Sequence, residues 1–150
     1  DIKNLFYINN HPNKEIEVHP FLYKSLKDAY KYMIESDGKY NLFAGELYYY
    51  WVRVLELGYA DPLDNPLELN IILSRLDDYK NGKYDLIFND DNNGVTFYVE
   101  KNYDIELIEI NLQFLGQAYV IDEIKDYLIS MGQSKGMVYS TYYSFFCYFR

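Results

Sequence analysis

Hydrophobic and polar positions repeat along this chain with two different periods, and the change of period divides it. From Pro20 to Gly38, the residues Leu22, Leu26, Ala29, Tyr30, Met33 and Ile34 recur at three- and four-residue steps. That spacing predicts an amphipathic helix opened by Pro20 and stopped by Gly38. Its other side carries Lys24, Lys27 and Lys31, a solvated charged face. A second helix is predicted from Asn41 to about Leu57, with Leu47, Tyr50, Trp51, Val54 and Leu55 inward and Gly58 as its cap. The run Tyr48, Tyr49, Tyr50, Trp51 cannot all face one way, so at least one ring is expected outside. A third helix opens at Asn65, Pro66 and Glu68 in capping-box spacing, carries Leu69, Ile72, Leu73, Leu76 and Tyr79, and ends at Asn81-Gly82.

After Lys83 the period falls to two. Tyr84 to Phe88 and Val95 to Val99 read as strands joined around Asn92-Asn93-Gly94, and Ile108, Ile110, Leu112 and Phe114 alternate with polar residues. These three segments are expected to form an antiparallel meander. A fourth helix follows, with Ile121, Ile124, Tyr127, Leu128 and Met131 inward and Asp122 and Glu123 near its positive end. The aromatic stretch from Met137 to Phe149 reads as one long interior strand. At the other end of the chain, Ile2 to Ile8 and Glu15 to Val18 flank the turn formers Asn9 to Asn13 and suggest a hairpin. The expected fold is α+β: an antiparallel sheet of about four to five strands, mostly C-terminal, packed with about four helices, mostly N-terminal. No repeat or linker interrupts the chain, so residues 1–150 read as one acidic domain.

Composition sharpens the functional side of this reading. The net charge is −9, and it is not spread evenly: Glu56 to Asp126 holds 16 acidic and 5 basic side chains. A surface of that sign repels nucleic-acid phosphates and anionic lipid and speeds encounter with a basic partner. No apolar run approaches the ~18 residues of a spanning helix and no export signal is visible, so a cytoplasmic protein with no membrane contact is expected. One cysteine, Cys147, rules out an internal disulfide.

Candidate chemistry is sparse. Asn89, Asp91, Asn93, Gly94 and Glu100 fall at the first, third, fifth, sixth and twelfth places of a calcium-binding loop. The segment after the loop has strand character, though, and a calcium loop is followed by a helix, so a hairpin turn explains the same letters. His11 and His19, with Cys147 far away, fall short of the four ligands of a structural zinc site. There is no glycine-rich phosphate loop and no signature around a nucleophile, and neither metal nor cofactor is expected. What remains is acid interleaved with tyrosine, chemistry suited to Arg and Lys. Asp77, Asp78, Tyr84, Asp85, Asp90, Asp91, Glu100 and Asp104 are therefore the expected partner-binding residues.

The expectation is a non-enzymatic inhibitor, a bacterial immunity protein that neutralises a basic toxin such as a nuclease. A nucleic-acid mimic acting on a DNA-binding protein would place its carboxylates in rows at phosphate-like spacing instead. An enzyme or small-ligand domain would show a deep pocket with convergent polar groups.

Overall fold

The computed structural model describes residues 3–56, 58, 66–139 and 146–149. They fall into two compact units, Asp1–Asn111 and Leu112–Arg150. The first contains α1 (Leu5–Asn9), β1 (Glu15–Glu17), α2 (Pro20–Glu35), α3 (Gly45–Glu56), α4 (Pro66–Leu76), a short 3₁₀ turn (Asp78–Asn81), β2 (Tyr84–Asn89) and β3 (Gly94–Val99). The second contains α5 (Gln113–Ser130), β4 (Gly136–Tyr139) and β5 (Phe146–Phe149).

The architecture is mixed helix and sheet. Its main sheet has three antiparallel strands in the order β1-β3-β2, fewer than the four to five expected of one sheet. Among the described residues, β4 and β5 pair with each other and with no other strand. The stretch from Met137 to Phe149, expected as one long strand, therefore supplies two short ones in antiparallel register. Strands of five to six residues are the ordinary length, and a thirteen-residue stretch rich in aromatics exceeds what one such strand uses.

The hairpin β2–β3 forms in the expected place, with Tyr84 opposite Val99 and Asn89 opposite Gly94. The third member of the sheet is not Ile108–Phe114. That place is taken by β1, with Ile16 opposite Val95 on the far edge of β3. Ile108 and Ile110 are nevertheless buried, as their alternation implies. Their neighbourhood satisfies its backbone without a ladder: Gly45 donates to Glu109 O at 3.0 Å, and Asn111 donates to Leu42 O at 2.9 Å. The Asn9 side chain holds both polar groups of Ile110.

The expected N-terminal hairpin is also replaced, because Leu5–Asn9 is a helical turn capped by Asn4. α3 begins four residues later than expected. Asn41 Oδ1 accepts the Phe43 amide at 2.9 Å, a local turn that drops Leu42 and Phe43 into the core before the helix starts. Of the expected inward set on α3, Tyr50 and Val54 are buried, whereas Trp51 and Leu55 are exposed. Of the stripe predicted for α4, Leu69, Ile72 and Leu76 join Tyr50 and Val54 in one apolar cluster, whereas Leu73 is exposed and Tyr79 lies beyond the helix, in the 3₁₀ turn. The proposed Asn65 cap lies outside the described residues.

α5 starts at Gln113, well ahead of the expected boundary, so Asp122 and Glu123 sit mid-helix and not at its positive end. Leu115, Ala118, Ile121, Ile124 and Leu128 step by three and four, a helical period that runs through Gly116. Only Ile121 of the expected inward set is buried.

Candidate docking surface

The eight residues expected to meet a partner separate into two groups at opposite ends of the β2–β3 hairpin. Six residues of β2 span about 17 Å at the usual rise per residue. At one end lie Asp77, Asp78, Tyr84, Glu100 and Asp104; at the other lie Asp90 and Asp91, with Asp85 on β2 between them.

Most of these acids are already held by the protein's own side chains. Tyr103 donates its hydroxyl to Asp78 Oδ2 at 2.7 Å, and Lys83 reaches Glu100 Oε2 at 2.6 Å. Arg75 bonds both the carbonyl and the carboxylate of Asp104 at 3.0 Å, while Lys80 lies between Asp77 and Asp37. Tyr84 is not at the surface. It is fully buried, with its ring edge-on to Phe43 and its hydroxyl shared between the carbonyls of Arg75 and Leu76. Burial first, and the nearby negative charge second, raise its phenol far above the ordinary value. Tyr84 is thus a core residue beneath the acidic group, since a tyrosine in a strand buries its ring when its hydroxyl finds backbone acceptors.

The hairpin tip is organised by Glu15 and α2. Asn92 and Asn89 donate their side-chain amides to the Glu15 carboxylate, which lowers its pKa. Lys27 at 2.6 Å and Tyr23 at 2.8 Å converge on Asp90 Oδ1 and lower its pKa in turn. Asp85 accepts the Tyr30 hydroxyl at 2.8 Å and the amide of Leu86, on the edge of β2 that β3 leaves unpaired. Phe88 meets Tyr23 and Tyr30 edge-on. α2 therefore covers the open edge of the sheet with three tyrosine and lysine contacts, a common protection against strand addition.

Within this tip, the calcium-loop letters serve other ends. Asn89 Oδ1 accepts the Asp91 amide, Asn93 takes a left-handed backbone at φ 53°, and β3 begins at Gly94 where a calcium loop would continue toward a helix. Among the described residues no group of three or more His, Cys, Asp or Glu side chains is arranged to hold a metal ion. His11 stacks on Tyr7 and bonds its carbonyl, and His19 caps α2 by accepting the Phe21 amide. The side chain of Cys147 lies outside the described residues. Glu109 and Glu46 meet at the start of α3, where burial and then the Glu46 charge raise the Glu109 pKa.

The sheet itself has one buried and one open face. Ile16, Val95, Phe97, Val99, Tyr84 and Leu86 point into the core. Their neighbours point the other way, as the pleat requires. Across the strands, Glu15, Thr96 and Ile87 form one row, and Tyr98 stands beside Asp85 in the next. Ile87 is 54% exposed and Tyr98 38%. Glu17 flanks them on β1, and the Lys83–Glu100 pair closes the far end. Sequence reasoning missed Glu15, Glu17 and Ile87. The alternation in β2 and β3 already marked Ile87 and Tyr98 as outward, but three residues of β1 are too few for a period to show which strand they join.

These elements define a mixed α+β protein with a small antiparallel sheet and an acidic surface pinned by tyrosine hydroxyls. Comparisons with protein-family models and with curated proteins give no match. Among solved structures, the chain is similar to the ApbE protein of Thermotoga maritima, with a TM-score of 0.62 at 24% sequence identity over 89% of this chain. The match spans 39% of that protein's own length, and the likeness is one of fold. Among the described residues, no helix is long and apolar enough to cross a membrane.

Proposed function

We propose that this chain is a non-enzymatic binding protein of the immunity type, which neutralises a basic toxin by docking an acidic, tyrosine-rich surface onto it. One observation carries this reading. Two tyrosine hydroxyls, of Tyr23 and Tyr30, each donate to one oxygen of Asp90 or Asp85 and so orient the carboxylate. A carboxylate has about four lone-pair sites. Asp90 keeps 73% of its side-chain surface exposed despite its two partners. Pre-oriented acids of this kind offer charge-assisted bonds to Arg or Lys at a reduced entropic cost.

The acids fall into two groups and not into the evenly spaced rows that mimicry of a nucleic-acid backbone calls for. The test is binding to the basic product of the neighbouring gene, followed by surface-attached kinetics across a salt series. The association rate is expected to fall steeply as salt rises. An association rate that ignores salt, or an acidic partner, ends this reading.

A further inference from the structure

Beyond the acids themselves, the open face of the main sheet has the layout of a protein interface: an apolar centre inside a charged rim. Ile87 and Tyr98 are its centre. They lie diagonally across the β2–β3 ladder, since Ile87 is opposite Thr96 and Tyr98 is opposite Asp85. Diagonal neighbours of this kind sit roughly 7–8 Å apart, within reach of one partner side chain. Glu15, Glu17, Asp85 and Glu100 surround them on the same face, with the ammonium of Lys83 beside Glu100. Ile87 and Tyr98 stay exposed on this side, while the opposite side of the same strands forms the core.

The rim is also fixed in place. The amides of Asn89 and Asn92 hold Glu15, Tyr30 and the Leu86 amide hold Asp85, and Lys83 holds Glu100. Rigid β-strands carrying oriented carboxylates give a precise site, in contrast to one built on loops. We propose that this face, with Ile87 and Tyr98 at its centre, is where the chain docks a basic protein surface that offers an apolar side chain flanked by Arg or Lys. The sign of the rim selects the partner's charge, and the central pair supplies the contact that resists dissociation. This inference rests on the proposed function and names the surface through which it acts.

A suitable probe is a short peptide of alternating Arg and Val, titrated into the isotopically labelled chain and followed by amide chemical shifts at low and at near-physiological salt. The expected shifts cluster on Glu15 to Glu17, Asp85 to Asn89 and Gly94 to Tyr98. Replacing both central residues, Ile87→Thr with Tyr98→Thr, keeps strand preference and is expected to weaken binding by at least about tenfold. Glu17→Gln, which removes charge alone, is expected to flatten the salt dependence while the spectrum of the hairpin stays intact. Shifts centred on Arg75, Asp78, Tyr103 and Asp104 overturn the sheet face as the docking site and leave the acidic-inhibitor reading standing. A double variant that retains its fold and full affinity has the same meaning. A chain whose amides ignore the peptide at both salt levels overturns both.

Discussion

Asn9 grips Ile110 across 101 residues: its side-chain Nδ2 donates to the Ile110 carbonyl and its Oδ1 accepts the Ile110 amide, each at 3.0 Å. A side-chain amide presents the same donor and acceptor as a peptide unit, so Asn9 stands in for a strand that the chain does not supply. Asn13 does the same to Val99, at 3.0 and 2.9 Å. Together they explain how the extended segment around Ile110 and the end of β3 satisfy backbone groups without further ladder partners.

Substitution of Asn9 by Ala removes both bonds and leaves two partly buried backbone groups unpaired, an expected loss of about 2–4 kcal/mol. Asn9→Asp is no rescue, because its carboxylate faces the Ile110 carbonyl in place of a donor. Equilibrium denaturation in urea measures both; a loss below about 0.5 kcal/mol for the alanine variant excludes the strand-substitute role.

Gly45 sets a second long-range contact. Its amide donates to Glu109 O at 3.0 Å, and a Cβ placed there would stand 2.8 Å from that same oxygen and 2.8 Å from Glu109 Cβ. Near the start of a helix, Gly→Ala ordinarily stabilises by roughly 0.5–1 kcal/mol. Here the clash with backbone outweighs propensity, and Gly45→Ala is expected to destabilise by about 1–3 kcal/mol. A raised melting temperature in this variant contradicts the close approach.

Both features show where the sequence was legible and where it was not. The helical stripes of α2 and α4 and the β2–β3 hairpin follow from periodicity, because each is repeated often enough for its period to be counted. Asn9 and Asn13 were visible only as turn formers, since nothing local distinguishes an asparagine that turns a chain from one that brackets a distant backbone. The same limit applies to the acids. Charge clustering located the middle of the chain, yet the pairing of Asp78 with Tyr103 and of Asp90 with Tyr23 spans 25 and 67 residues, and composition carries no trace of it. Tyr84 is grouped with the surface acids because it is interleaved with them along the chain; in a strand, an outward Asp85 beside it is the reason it faces in.

The tyrosine–carboxylate bonds predict an alkaline limit to stability. Burial and the Asp90 carboxylate push the Tyr23 phenol up to about 12 from its ordinary 10.0, and Tyr30 and Tyr103 are raised beyond that by burial and by Asp85 and Asp78. A group whose folded pKa is raised keeps its proton longer in the native state, so its contribution is complete below pH 10 and declines as pH climbs toward 12. Melting temperature is therefore expected to hold level up to about pH 10 and to drop above it. Phenolate absorbance should appear in two stages, exposed tyrosines first and the bonded ones only as the fold opens. A single stage centred near 10, with the fold intact, would falsify these bonds.

The contrast between Asp78 and Asp91 separates acids that hold the fold from acids that face a partner. Asp78 receives the Tyr103 hydroxyl, and the Tyr103 ring lies 5.9 Å from that of buried Tyr84. Asp78→Ala leaves a half-buried hydroxyl without its acceptor and is expected to cost about 1–2 kcal/mol, with little change in salt-dependent association beyond one charge. Asp91 is exposed at the hairpin tip, and no side-chain bond to it is described. Asp91→Lys is expected to leave the unfolding midpoint unchanged and to slow association with a basic partner severalfold at low salt, since a reversed charge near an interface acts on encounter. Paired measurements of stability and association rate on the two variants decide the matter. If Asp91→Lys unfolds the chain, or Asp78→Ala only slows association, the two roles are exchanged and the acids nearest the hairpin base become the docking group.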